Sequence, residues 1–240
     1  MSEDHPEVAV MDDAGLQPAV AAEYAGLADL LAAASGAQWD ARSLCEGWRV
    51  REVIAHLTMA ARYPEQEFMA ELQRHGFDFT RLSNAVASRD GQLPAGQLVT
   101  CLRSETMAHW TPPGGGYHGA LNHVVIHGLD VTVPLGVPRV SPDETIRVVL
   151  DDLTHGGGHA HFGMAVAGRC LQASDLDWSY GSGAALRGAA GDLAAALCGR
   201  ALPPRRLDGE PLRRRSPSHA PLTEVRVERG GKIGAPHGVL

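Results

Sequence analysis

Hydrophobic positions recur every three or four residues through the first two-thirds of the chain, which is the period of helices with one buried face. The clearest case is the stripe of Val50, Val53, Ile54 and Leu57. Glycine, proline and capping residues near the segment ends mark where helices stop and start. These signals predict helices over residues 12–36, 50–74 with a kink or restart at Pro64, 94–110 and 118–135, and one helix that begins after Ser141-Pro142.

The pattern changes after Cys170, where short segments replace the long amphipathic ones. Residues 76–91 are polar and mixed and indicate no clear element. In the helix that follows Ser141-Pro142, the serine is expected to cap the first turn and the proline to occupy its first position. The C-terminal third predicts short strands at residues 176–180, 206–208 and 223–228, and a helix at residues 184–197.

The order of these segments predicts a mainly α-helical protein with a small α+β appendage. We expect a helical domain over residues 12–168 and a small α+β domain over residues 169–230. Loose tails are expected at residues 1–11 and 231–240. A chain of 240 residues is long enough to bury a substantial core in this arrangement.

The amino-acid composition favours one fold class and argues against some classes of binding partner. Aromatic residues make up only 5% of the chain while alanine and glycine are abundant, which favours closely packed helices over a β-sandwich. A net charge of −7, with Arg213–Arg215 as the one basic run, argues against a nucleic-acid surface. We therefore expect neither nucleic acid nor membrane as a partner, since no apolar segment approaches the ~20 residues needed to cross a bilayer.

The four cysteines are far apart and form no CxxC pair, so the sequence signals neither a zinc ribbon nor a dithiol redox site. The N-terminal residues are acidic where a secretory signal would be basic. These features predict a cytoplasmic protein.

The predicted helix over residues 118–135 carries the best candidates for chemistry. His123 and His127 are four apart, so they lie on the same helical face one turn apart, and Asp130 falls within about 60° of them. His56, at the edge of the stripe on the second helix, can reach a cavity bordered by the core. Three imidazoles with an open fourth position are a ligand set of catalytic zinc. Asp130 is expected to orient a ligand ring or to act as a general base.

A structural role is the alternative at each of these positions. Paired histidines four apart occur in many helices, and His56 also fits a hydrogen-bonded core residue. His155, His159 and His161 form a competing cluster, but the glycines between the first two remove a fixed helical geometry. That segment predicts a loop near the mouth of the pocket. Trp48 is expected to fill the connector before the second helix more than to contact a substrate.

Three segments carry a family resemblance: residues 44–57 (LCEGWRVREVIAHL), residues 123–130 (HVVIHGLD) and, more weakly, residues 188–200 (GAAGDLAAALCGR). They resemble the mycothiol-dependent maleylpyruvate isomerase family, a branch of the DinB-like metalloproteins. The resemblance implies a DinB-like four-helix bundle followed by a small α+β domain. It assigns the metal ligands to His56, His123 and His127. The family usually has glutamate where this chain has His123, so the ligand set here loses an anion and the ion becomes more electrophilic.

The resemblance also implies an enzyme that uses a divalent metal, expected to be zinc, and mycothiol as a thiol cosubstrate. The partners would be this low-molecular-weight thiol and a small electrophilic metabolite, which is isomerised or to which the sulfur is transferred. Arg200, on the appended domain, would bind an anionic substrate, although a surface salt bridge explains it as well. Two alternatives stay open: a metal-dependent hydrolase or lyase that uses metal-bound water, and a non-catalytic metal- or ligand-binding stress or regulatory protein.

Overall fold

The computed structural model describes residues 13–215, so the predicted tails and the predicted strand at residues 223–228 lie outside the described residues. The helices are α1 (Gln17–Ala32, after a 3-10 turn at Asp13–Leu16), α2 (Gly36–Trp39), α3 (Val50–Leu57, followed by a 3-10 turn at Met59–Ala61), α4 (Glu65–Arg74), α5 (Phe79–Asp90), α6 (Ala95–Leu102), α7 (Glu105–His109), α8 (Gly116–Leu135), α9 (Asp143–Thr154), α10 (Gly158–His161) and α11 (Ala190–Leu197). The strands are β1 (Met164–Ala165), β2 (Arg169–Ala173), β3 (Ser179–Gly181), β4 (Ala184–Gly188), β5 (Leu207–Gly209) and β6 (Arg213–Arg214).

Four helices form the bundle that the sequence predicts. Helices α1 and α3 each pack against both α6 and α8, so the four close a ring around one apolar interior. Leucine, valine and isoleucine side chains from all four are fully buried there, Leu27, Ile54, Leu98 and Leu121 among them. The prediction of a mainly α fold built on a four-helix bundle is therefore confirmed.

The C-terminal part is a small sheet joined to the bundle by one helix. Strands β3, β2, β4 and β5 lie in that order, with β2 and β4 parallel and the outer pairs antiparallel. Helix α11 packs against this sheet and against α8 and α9. Leu171 and Leu186 of the sheet join the same hydrophobic core as Leu193 of α11 and the bundle residues. The sheet is thus held to the bundle by continuous apolar packing.

Two predicted helices are divided in the structure, and one segment without a predicted element is helical. The second predicted helix ends at Leu57, well before Pro64, and a new helix begins after that proline. The third is broken into α6 and α7, because the Ser104 side chain accepts a hydrogen bond from Met107 N–H and so caps a new helix. The unassigned segment at residues 76–91 contains α5, whose first turn is capped by Asp78.

Two local predictions were wrong. Residues 184–188 form strand β4, not the start of a helix, because they pair with β2 on one side and β5 on the other. Ser141 does not cap α9, since its hydroxyl donates instead to Glu23 Oε2 at 2.8 Å. The Ser141 hydroxyl, which was expected to cap α9, instead binds Glu23, a residue distant in sequence.

Glu23 on α1 is a buried carboxyl with an unusual pKa. Burial raises the pKa to about 7, against the smaller lowering effects of Ser141 and Arg139. The folded state therefore favours the neutral acid. Its contribution to stability is complete below pH 4.5, the ordinary pKa, and is lost as the pH rises through about 7.

We expect Glu23→Gln to increase the free energy of unfolding by about 2 kcal/mol at pH 8 and to change it little at pH 4.5. The reason is that glutamine keeps an acceptor for Ser141 without a charge to bury. Urea unfolding at the two pH values measures the difference. Glu67→Gln, at an exposed position on α4, is the control and should show no comparable pH dependence. Equal stabilisation at both pH values would contradict the ionisation of Glu23 as its cause.

No helix among residues 13–215 is both long and apolar enough to span a membrane.

Candidate metal centre

The three predicted histidines meet in the interior of the bundle. Helix α3 contributes His56 from its last turn, and α8 contributes His123 and His127. Each of the three residues is at most 6% exposed. One ligand atom from each lies within 4.8 Å of the others. The sequence prediction that these three residues converge is thus matched by the structure, while their role as ligands remains a prediction.

Helix α8 can present two imidazoles inward because it is buried along most of its length, from Gly119 to Val133. It ends where Gly136 adopts a left-handed conformation with φ of 65°. Helix α3 reaches the same point because its apolar stripe packs against α8. The two elements that the amphipathic pattern predicts therefore bring the three rings together.

One pair of ring nitrogens has the spacing expected of two ligands of a tetrahedral divalent ion. Nε2 of His56 and Nε2 of His123 are 3.2 Å apart. Zn–N bonds of about 2.0–2.1 Å with tetrahedral angles require about 3.3 Å between ligand nitrogens. The centroid of the His127 ring lies 4.9 Å from the centroids of both other rings. Residues of this kind, at this spacing, suit zinc or a similar borderline metal.

Burial favours the neutral form of two of the imidazoles, those of His56 and His123. It lowers the pKa of His56 and that of His123 well below the ordinary value, and the neighbouring His127 adds to the effect in both. A neutral imidazole offers a lone pair, which a protonated one does not. His56 and His123 therefore have the protonation state that metal binding requires.

Hydrogen bonds hold two of the three rings from behind. Ser83 Oγ, on α5, lies 2.8 Å from Nδ1 of His56. Asp130 Oδ2 lies 2.9 Å from Nδ1 of His127. With Nδ1 engaged, each ring has Nε2 left for a metal. Nδ1 of His123 is buried without a hydrogen-bond partner among residues 13–215, so that ring is held by packing, including the Trp110 ring.

Asp130 is fully buried and receives four hydrogen bonds. Arg200 donates from Nε and Nη2 at 2.8 and 2.9 Å, His127 donates from Nδ1, and the Cys45 thiol donates at 2.9 Å. Burial alone would raise the pKa of Asp130, but the bonds from His127 and Arg200 hold it well below the usual range. Such a carboxylate is a weak base. The geometry thus favours the ring-orienting role over the general-base role.

The sequence prediction missed Cys45 and Ser83. Cys45 lies in the connector before α3, and this connector is tied to α8 because Leu44 N–H donates to the backbone oxygen of Asp130 at 3.0 Å. Burial raises the pKa of the Cys45 thiol, and the Asp130 charge adds to this, so it stays protonated and can donate. Ser83 was missed because its helix was not predicted. Cys45 stood within the family motif, but nothing local indicated its partner.

A cavity of about 870 Å³ opens beside the histidines. His56 and His127 line its floor, Arg200 lines it from the C-terminal part, and Trp48 and Phe79 form part of its wall. Arg200 is thus at the cavity, although its paired contact with Asp130 occupies much of its donor capacity. The contact of Arg200 with an anionic substrate stays a prediction.

The histidines at 155–161 lie elsewhere. His155 is near Asp151 and the Tyr180 ring, His159 is 2.8 Å from the Leu153 backbone oxygen, and His161 packs on its neighbour Phe162. They form no metal-binding group within residues 13–215 and do not line the cavity. The prediction that they lie at its mouth was wrong, because α10 packs against α9 and β1.

Residues 20–111 match the family model described as the mycothiol maleylpyruvate isomerase N-terminal domain. This match confirms the family resemblance predicted from the sequence. It includes His56 and ends before His123 and His127. No curated protein matches the chain.

Two solved structures share the fold. A crystal structure of a mycothiol-dependent maleylpyruvate isomerase is 14% identical, with 83% of this chain and 93% of that chain covered and a TM-score of 0.53. A histidine-to-alanine variant of a mycothiol-dependent maleylpyruvate isomerase is also 14% identical, with 80% and 90% covered and a TM-score of 0.51. At 14% identity, both matches show a shared fold and nothing further.

Proposed function

We propose that this chain is an isomerase that uses mycothiol and a divalent metal, expected to be zinc, to act on a small electrophilic metabolite. The observation that carries the proposal is the convergence of three buried imidazoles, two of which, those of His56 and His127, line a cavity. The N-terminal domain match supports the thiol dependence and the isomerase class. His56, His123 and His127 would hold the ion.

A bound divalent ion with an open position would favour the thiolate form of an incoming thiol near neutral pH, which is the form that attacks electrophiles. The residues of this chain prepare that site. Ser83 and Asp130 fix the orientation of two ligand rings. A thiol would reach His56 and His127 from the cavity that they line, and the volume of about 870 Å³ leaves room for a second molecule.

Isomerisation needs no net oxidation or reduction. A sulfur–carbon bond forms when the thiolate adds to a conjugated double bond, and the former double bond can then rotate. The same sulfur–carbon bond breaks as the double bond returns, so the thiol is regenerated. If the adduct were retained, the chain would act as a transferase.

Thiol binding and turnover test the proposal directly. The metal-loaded protein is titrated with mycothiol and with S-methyl mycothiol, and maleylpyruvate is used as the first electrophile with and without mycothiol. We expect mycothiol to bind with at least tenfold higher affinity than its S-methyl derivative, because only the free thiol can become a ligand. Failure of mycothiol to bind would overturn the proposal. Turnover at the same rate without thiol would favour a metal-bound water mechanism instead.

A further inference from the structure

The wall of the cavity differs in chemistry from one side to the other. One part of the wall is made by the connector before α3 and by α5, and it presents aromatic rings, uncharged polar groups and one carboxylate: Trp48, Phe79, Thr80, Asn84 and Glu46. Another part of the wall is made by residues that follow α11, and it includes the exposed Arg205 and, on β6, the exposed Arg214. A ligand with a charged part and an uncharged part would be oriented by this difference.

Trp48 lies in the part of the wall made by the connector and α5. Its ring lies against His56, with centroids 5.2 Å apart and planes inclined at 48°. Its indole N–H donates to Asn84 Oδ1 at 3.1 Å. The bond fixes the plane of the indole and joins the connector to α5. The ring is only half-buried and forms part of the cavity wall. It is therefore both a filler of the connector, as predicted, and a surface that a ligand can contact.

The polar groups around this ring suit a polyhydroxylated ligand. The Asn84 amide nitrogen has no partner among residues 13–215 and remains a donor, since only the oxygen of this side chain is engaged. The exposed Thr80 hydroxyl can donate and accept. The exposed Glu46 carboxylate, in the same connector as Trp48, accepts hydrogen bonds from hydroxyls and repels anions. An aromatic face with such groups at its edge can pack on the C–H face of a sugar ring while binding its hydroxyls.

We infer that the surface formed by Trp48, Asn84, Thr80 and Glu46 is a subsite for the uncharged sugar–inositol part of mycothiol. The inference rests on the proposed thiol-dependent function and adds where the non-reacting part of the thiol binds. Because Trp48 lies directly beside His56, a thiol whose sulfur reaches the histidines has its polyol within reach of this surface. The arginine side is then left free for the second substrate.

The test compares mycothiol with N-acetylcysteine, which has the same thiol but no sugar, on metal-loaded protein. We expect the wild-type chain to bind mycothiol at least tenfold more tightly. In Trp48→Ala and in Asn84→Ala this preference should fall by about tenfold or to none. The affinity for N-acetylcysteine should stay the same in both variants.

Trp110→Ala is the matched control. The Trp110 ring lies against His123 with centroids 5.2 Å apart and planes inclined at 49°, nearly the arrangement of Trp48 on His56, but Trp110 does not line the cavity. It should leave the preference for mycothiol unchanged. Loss of the preference in Trp110→Ala, or equal loss of affinity for both thiols in Trp48→Ala, would show an effect through the histidines and overturn the subsite.

Two further outcomes separate this inference from the proposed function. If wild-type protein binds both thiols with equal affinity, the subsite is wrong while thiol dependence stands. If it binds neither thiol, the proposed function fails and the subsite fails with it. Asn84→Ala does not remove a ring in contact with a histidine, so it tests the subsite even where Trp48→Ala loses metal.

Discussion

Replacing His127 with alanine should reduce bound metal from about one ion per chain to less than a tenth of that after dialysis, and it should abolish thiol-dependent turnover. The imidazole is one of three ligands, and its loss also leaves Asp130 without one of its donors. Loss of a partner behind a ligand typically costs 10–100-fold in metal affinity, so loss of the ligand itself should cost more. Inductively coupled plasma mass spectrometry of the dialysed protein measures the change.

His118→Ala is the control for this experiment. His118 lies on the same helix and pairs with Asp152 at 2.8 Å, away from the three converging rings. Its replacement should leave the metal content intact. Full metal occupancy in His127→Ala, or equal loss in His118→Ala, would contradict a site made by His56, His123 and His127.

The convergence of the three histidines could be predicted because its determinants are local. The stripe on α3 and the i, i+4 spacing on α8 are properties of short segments, and helix geometry converts them directly into faces. The two helices bring these faces together because α3 packs against α8, and this packing buries the apolar side chains of both helices. The position of His56 at the edge of its stripe is therefore already informative in the sequence.

The supporting residues could not be predicted because their partners are distant. Cys45 and Asp130 are 85 positions apart, and Ser83 and His56 are 27 apart. Strand β4 is a similar case: its alanines favour a helix, but pairing with β2 and β5 overrides that preference. Local sequence patterns predict which face of a helix is buried and which residues cap it. Hydrogen bonds between distant segments depend instead on the complete fold.

Asp130 and Arg200 join the bundle to the C-terminal part through the same carboxylate that orients His127. The Arg200 side chain is 19% exposed and that of Asp130 is fully buried. Asp130 holds the pKa of Arg200 above its ordinary value, against the opposing effect of burial. A buried pair of this kind is costly to break, because one charge is left without its partner in a poorly hydrated place.

We therefore expect Arg200→Met to lower the free energy of unfolding by about 3–5 kcal/mol. The double variant Asp130→Asn/Arg200→Met should recover much of this loss, because the amide removes the uncompensated charge and its oxygen still accepts from His127. Urea unfolding of the wild type, both single variants and the double variant, all with chelator so that metal binding adds nothing, gives the coupling energy. A double variant whose loss equals the sum of the single losses would mean that the pair is not coupled. Recovery would instead identify the Asp130 charge as the reason that Arg200 is needed, apart from any contact of Arg200 with a substrate.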